Sequence, residues 1–213
     1  MFPVGWLRGA GEGGFTLIEA LVVLAIFGFM LALGVPMMSL WSLGNKAAAA
    51  TEFYADGFRL ARAQAIAHNA AGRILLTENA GNGQMDWQVD ICFPTVVLPC
   101  NGDTGAWSTT AANASGDPEG GAGFKSVFRA ADALPRAQVL QQTLTPAGAT
   151  DIYFTALGWV DTTFSPRLAR IQMAPAPAYA GSIPSSAIVV TLAGIATKCD
   201  PTVALTDSRA CPP

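Results

Sequence analysis

Residues 13–36 read GGFTLIEALVVLAIFGFMLALGVP and contain one charged side chain, Glu19. From Ala20 to Asn45 there is no charge at all, a run of 26 residues. As a helix it would reach roughly 39 Å, enough to cross a hydrocarbon core of about 30 Å. Gly28, Gly34 and Pro36 lie inside the run, and Pro36 removes a backbone donor, which predicts a kink or a loosened turn.

A carboxylate is expensive in such a helix, at about 2.5–3.5 kcal/mol near a bilayer centre and less near the interface. Three readings compete for the segment. An ordinary signal peptide, cut near Ala32-Leu33-Gly34, has an apolar core without an acid and a basic leader, whereas residues 1–14 carry only Arg8 and Glu12. A plain signal anchor leaves Glu19 as an unexplained cost. The third reading uses more of the residues. Gly14-Phe15-Thr16-Leu17-Ile18-Glu19, the apolar run, and a proline 21 residues after Phe15 resemble the class III signal of type IV pilins and pseudopilins.

That resemblance implies cleavage after Gly14 by a prepilin peptidase, methylation of the new N-terminal Phe15, and retention of the apolar segment as the first half of a long helix. It implies the inner membrane as anchor, with the C-terminal domain in the periplasm and later in a filament. Orientation would rest on Arg8 alone. Glu19 would neutralise the α-ammonium of a neighbouring subunit as the segment leaves lipid. A buried charge is tolerable when paired, and a carboxylate suits the positive end of a helix dipole.

The helix is expected to continue through KAAAATEFYADGFRLARAQAIAHN, residues 46–69. Tyr54, Phe58, Ala61 and Ala65 recur at helical spacing, while Glu52, Asp56 and Arg59 share another face. Arg59 and Arg62 read as a solvated face, and Gly72 as the stop. Ala61-Arg62-Ala63-Gln64-Ala65-Ile66 with Asn69 is similar to the GspH/FimT branch of minor pilins and pseudopilins. Phe154-Thr155-Ala156-Leu157-Gly158 and the Ala187–Gly194 strand followed by a cysteine also resemble it. Residues 92–125 fit the resemblance poorly and look like an insertion.

Beyond the helix the period changes to two. Trp87, Val89, Ile91 and Phe93 alternate with Gln88, Asp90 and Cys92. Further strands are expected at Arg73–Glu78, Phe124–Arg129, Gln138–Leu144, Asp151–Thr155, Leu168–Met173 and Ala187–Leu192. The expected fold is α+β: a long N-terminal helix, half membrane-embedded and half amphipathic, packed on an antiparallel β-rich domain. Its divisions would be a leader over 1–14, a transmembrane and filament-core helix over 15–42, and a globular domain over 43–213. Residues 101–123 and 175–186 read as loops. Trp107 and Tyr179 in them are either contact residues or local packing.

The 213 residues are 51% hydrophobic and 13% charged, with a net charge of −3, which disfavours a polyanion partner. Four cysteines, Cys92, Cys100, Cys199 and Cys211, suggest an oxidising compartment and two disulfides. Three pairings are possible, and loop closure favours the near neighbours Cys92–Cys100 and Cys199–Cys211. Zinc is the rival reading, but spacings of eight and twelve match no CxxC pattern. A single histidine, His68, excludes most Ser-His-Asp and multi-histidine designs, and no phosphate loop or cofactor signature is visible. Asp86 and Asp90 are too weak a pair to suggest acid–base chemistry.

The expected role is therefore structural and not enzymatic, as a minor type IV pilin that joins or primes a filament with other subunits. The alternative is the minor pseudopilin of a type II secretion system. A DNA-binding pilin for transformation is the rival from another class. The branch's Gly-Arg-x-Arg patch would fall on Gly194-Ile195-Ala196-Thr197, which has no arginine, with only Lys198 and Arg209 nearby.

Overall fold

The computed structural model describes residues 14–102 and 106–212. The expected leader lies outside the described residues except for Gly14, as does the tip of the 101–123 loop. Two compact units are distinguished, one ending at Trp41 and one spanning Ser42–Pro213. The fold is the expected α+β arrangement, one long N-terminal helix followed by a domain of two antiparallel sheets.

Helix α1 runs Leu17–Ala67, 51 residues, and its secondary structure is continuous through Pro36. Its first stretch is apolar on every side and exposed, whereas in the second stretch Ala47, Ala50, Tyr54, Phe58, Ala61 and Ala65 are buried. Their three- and four-residue spacing forms one stripe. The helix ends at Asn69, which takes a left-handed φ of +48°, and the Ala70 N–H closes back on the Ala65 carbonyl. Asn is among the few side chains that tolerate that conformation.

Gly72, expected as the stop, does something else. It sits in strand β1, Ala71–Glu78, where a Cβ would lie 2.8 Å from the Ala61 carbonyl oxygen and 2.9 Å from the Ala65 Cβ. The missing side chain lets strand and helix touch. The alanines and Gly57 on the helix supply the same closeness from the other side.

Strand β1 pairs with β2 (Met85–Cys92) across a turn in which the Gly83 N–H bonds to the Asn79 carbonyl. Strands β3 (Val127–Arg129), β4 (Leu140–Thr145), β5 (Asp151–Phe154), β6 (Arg170–Pro175), β7 (Ser186–Val190) and β8 (Ala196–Cys199) complete two four-stranded sheets. Their orders are β3-β2-β1-β5 and β4-β6-β7-β8. Strands β1 to β7 fall on the expected stretches, with β3 shorter. Strand β8 was not expected, being four residues long and without a buried position.

The helix stripe, Ile74, Trp87, Val89, Ile152 and Phe154 of the first sheet, and Leu140, Ile171, Met173 and Ile188 of the second form one core. Tyr54 ties them together. Its hydroxyl donates to the Met85 carbonyl at 2.9 Å, accepts from the Met85 N–H at 3.1 Å, and faces Gln142 Oε1 at 3.4 Å. Burial pushes this phenol above the ordinary tyrosine range.

The first sheet is covered on its outer face as well, contrary to a simple half-buried alternation. Asp90 is fully buried and accepts from Arg73 Nε at 2.8 Å, and the Arg73 guanidinium lies 4.4 Å from the Trp107 ring centre. Trp107, from the loop read as polar, packs with Cys92, Ala106 and Tyr153. It is a packing residue.

Candidate assembly site

The N-terminal motif is arranged around the start of α1. Gly14 and Phe15 precede the helix in non-helical backbone and are exposed, and no atom lies within 4 Å of where a Gly14 Cβ would be. Thr16 caps the helix, because its Oγ1 accepts the Glu19 backbone N–H at 3.3 Å and its carbonyl accepts the Ala20 N–H. Thr-x-x-Glu is the spacing of a capping box, so Glu19 occupies the third helical position, beside the positive end of the helix dipole. The sequence reading missed Thr16, although the spacing was there to find it. Among the described residues no ion pair involves Glu19, which is exposed.

After Glu19 the helix shows only apolar and small side chains as far as Trp41, among them Val22, Ile26, Phe29 and Leu33, all exposed. It is long and apolar enough to cross a membrane.

In the second unit the three stretches that resemble the GspH/FimT branch come together on one side chain. Arg62 of the helix donates from Nε to the Gly158 carbonyl at 3.1 Å. A Cβ on Gly158 would meet Ile66 and the Arg62 stem, and one on Gly194 would meet the Gly158 oxygen and the Arg62 Nε. Both glycines take left-handed φ, +77° and +75°, inside turns whose first residue is threonine. Arg62 is therefore no part of a solvated face. Arg59 is, pairing with Asp56 at 3.0 Å and Glu52 at 3.5 Å.

The cysteines pair as near neighbours, Cys92 with Cys100 and Cys199 with Cys211. The first closes the loop that leaves β2, and the second closes the tail against β8. Lys198 is engaged by Glu52 and Arg209 by Asp207 at 2.9 Å. The Arg209 hydrogen bonds hold the Asp207 carboxyl down at about 2. Lys198 and Arg209 thus already have acidic partners, and Arg62, against Gly194, donates to the Gly158 carbonyl, so the tail offers little to phosphates. His68 packs against Phe124 with ring centres 5.5 Å apart. No cluster of metal-ligating side chains occurs among the described residues.

Comparison with family models gives two matches. The prokaryotic N-terminal methylation motif covers residues 10–35, and the model for the type II transport protein GspH covers residues 49–194, more than half of the chain. The second match includes the 92–125 stretch that fitted the resemblance poorly. Comparison with curated proteins and with solved structures found no match.

Proposed function

The chain belongs to the GspH family and is a minor pilin or pseudopilin; from that premise we propose that it serves as a minor type IV pilin that joins or primes a pilus. The proteins of the family are structural, and the N-terminal motif implies processing by a prepilin peptidase and assembly with other pilin-type subunits. The apolar helix with this motif fits anchoring in the inner membrane. In the proposed topology residues 1–14 are removed, residues 15–42 form the membrane and filament-core helix, and residues 43–213 form the periplasmic domain.

The observation that carries this reading is the register of Gly14, Phe15 and Glu19 at a capped helix start. The Gly14–Phe15 peptide lies outside the helix and is exposed, which suits access by a protease, and the helix begins two residues later. Cleavage leaves an α-ammonium on Phe15. Glu19, without an ion-pair partner among the described residues, then balances that charge on a neighbour when both leave water and headgroups for the filament.

The mass of the mature N-terminus tests the proposal. The wild-type chain should begin at a methylated Phe15, and Gly14→Ser should retain residues 1–14; an uncut wild-type chain would sink the reading. The second reading, a type II secretion pseudopilin, is favoured by the matched family's own description. The two separate on the phenotype of a deletion strain: loss of surface pili supports the first, and loss of exoprotein release with pili intact supports the second.

A further inference from the structure

Two turns at the end of the domain where helix α1 stops are built alike. Thr155-Ala156-Leu157-Gly158-Trp159 and Thr191-Leu192-Ala193-Gly194-Ile195 share one hydrogen-bond scheme. In each, the threonine N–H bonds to the carbonyl four residues on (2.8 and 3.0 Å). The glycine N–H bonds to the threonine carbonyl (2.7 and 2.8 Å), and the threonine Oγ1 accepts the N–H of the last residue (3.3 Å in both). The Val160 N–H bonds to the Leu192 carbonyl, joining the turns, and their glycines pack on Arg62 and Ile66 of the helix.

The glycines are buried in this contact while the large side chains point away. Leu157 is 72% exposed, Trp159 61%, Leu192 62%, Ile195 53% and Ile66 45%. Residues 155–160 and 191–197 carry no charge. A rigid, uncharged platform that shows a tryptophan and four aliphatic side chains is a binding surface rather than scattered exposure.

We propose that this platform docks a second pilin-type subunit held in the same membrane by its own N-terminal apolar helix; the inference rests on the assembly reading above. Size selects that partner. Five such side chains, each about half to three-quarters exposed, offer on the order of 500 Å² of apolar surface, against about 800 Å² per partner in a free-standing complex. A contact of that size is too weak to recruit a soluble protein from dilute solution. It suffices when a shared bilayer raises the partner's effective concentration. The turns carry no charge and Arg62 beneath them is held by the Gly158 carbonyl, which disfavours a polyanion, and the prebuilt turns lower the ordering cost of a small interface.

The test uses the full chain in the membranes of cells that assemble it, with a photoreactive benzophenone side chain at Leu157 and a control probe at exposed Thr143 on β4. Illumination should link the probe at 157, and not that at 143, to a chain whose peptides include a processed apolar N-terminal helix. The combined Trp159→Lys and Leu192→Lys change should weaken that adduct about tenfold, with both disulfides retained. No adduct, an adduct only with lipid, DNA or a protein without such a helix, or an adduct indifferent to the lysines overturns the proposal. The N-terminal mass is read in the same sample. A chain starting at Phe15 without the adduct overturns the docking surface alone; an uncut chain overturns the assembly reading and the docking surface with it.

Discussion

Arg62 and Gly158 are 96 residues apart and are joined by a 3.1 Å hydrogen bond from the guanidinium Nε to the glycine carbonyl, with Gly194 closing over the same oxygen. One side chain thereby fixes two β-turns to the helix. Arg62→Ala should destabilise the domain by about 1–3 kcal/mol, through a stranded carbonyl and lost packing of the arginine stem. Arg62→Lys should recover part of that loss by keeping the stem. Denaturant unfolding of the detergent-solubilised chain measures both, and an unchanged midpoint in Arg62→Ala would refute the clamp.

Two glycines at the helix–sheet seam should respond differently to alanine. A Cβ on Gly72 meets helix backbone and the Ala65 Cβ, neither of which can swing aside, so Gly72→Ala should cost about 1–3 kcal/mol. A Cβ on Gly57 meets the tip of Ile74 at 2.6 Å and the Trp87 ring at 3.1 Å, side chains rather than backbone, and alanine gains about 1 kcal/mol of helix propensity there. Gly57→Ala should be milder than Gly72→Ala in the same unfolding measurement; the reverse order would contradict the seam described.

Glu19 gives its backbone N–H to the Thr16 cap, its carboxylate stands at the capping-box position, and it has a proposed role between subunits; substitutions can part these. Glu19→Gln keeps a capping-box side chain but removes the charge, whereas Thr16→Val removes the cap and keeps the charge. Comparing sheared filaments with membranes by immunoblot, Glu19→Gln should lower incorporation by roughly tenfold and Thr16→Val much less. Equal losses would assign Glu19 to the helix start alone.

Stability should fall in alkali. The folded-state pKa of Tyr54 is raised by burial, and that of Tyr153 is pushed up to about 12 by burial and by its hydrogen bond to Asp151. A raised folded value means that the stabilisation is complete below the unfolded value of about 10 and is lost as pH climbs above it. Tyr54→Phe should lower stability at neutral pH by about 1–3 kcal/mol, because the Met85 N–H and carbonyl lose their partner, and should flatten the alkaline decline. Unfolding curves between about pH 8 and about pH 12 provide the check. A decline just as steep in the variant would mean that other groups drive it.

Arg73 and Asp90 form a buried ion pair under Trp107. Arg73→Met should cost about 3–5 kcal/mol by stranding Asp90, while Trp107→Phe, which keeps a ring over the pair, should cost less. Thermal unfolding in neutral buffer ranks them.

The helix, most strands and the N-terminal motif were legible because they rest on local signals: an uncharged run, a period of 3.6, a period of two, a glycine five residues before the glutamate that ends the motif. What escaped the sequence was relational. Gly72 looked like a stop because glycine usually ends a helix, yet Asn69 takes the left-handed turn and Gly72 answers to Ala61 and Ala65 across space. Arg62 read as solvated because its acceptor is a backbone carbonyl, invisible as a side-chain pattern. Strand β8 is held by pairing with β7 and has no buried residue to announce it. The burial of Asp90 escaped because the cover for it, Trp107, comes from a stretch too polar and glycine-rich to suggest a core.

That cover ties a long loop to the evolution of the sheet beneath it. A relative that shortened the β2–β3 connection would bare Arg73, Asp90 and Cys92 together and strip Tyr153 of one of the two rings packed on it, leaving a half-cystine open to water. Loop length and the outer-face residues of β1, β2 and β5 should therefore vary as a set across the family, with short loops accompanied by polar, cysteine-free outer faces.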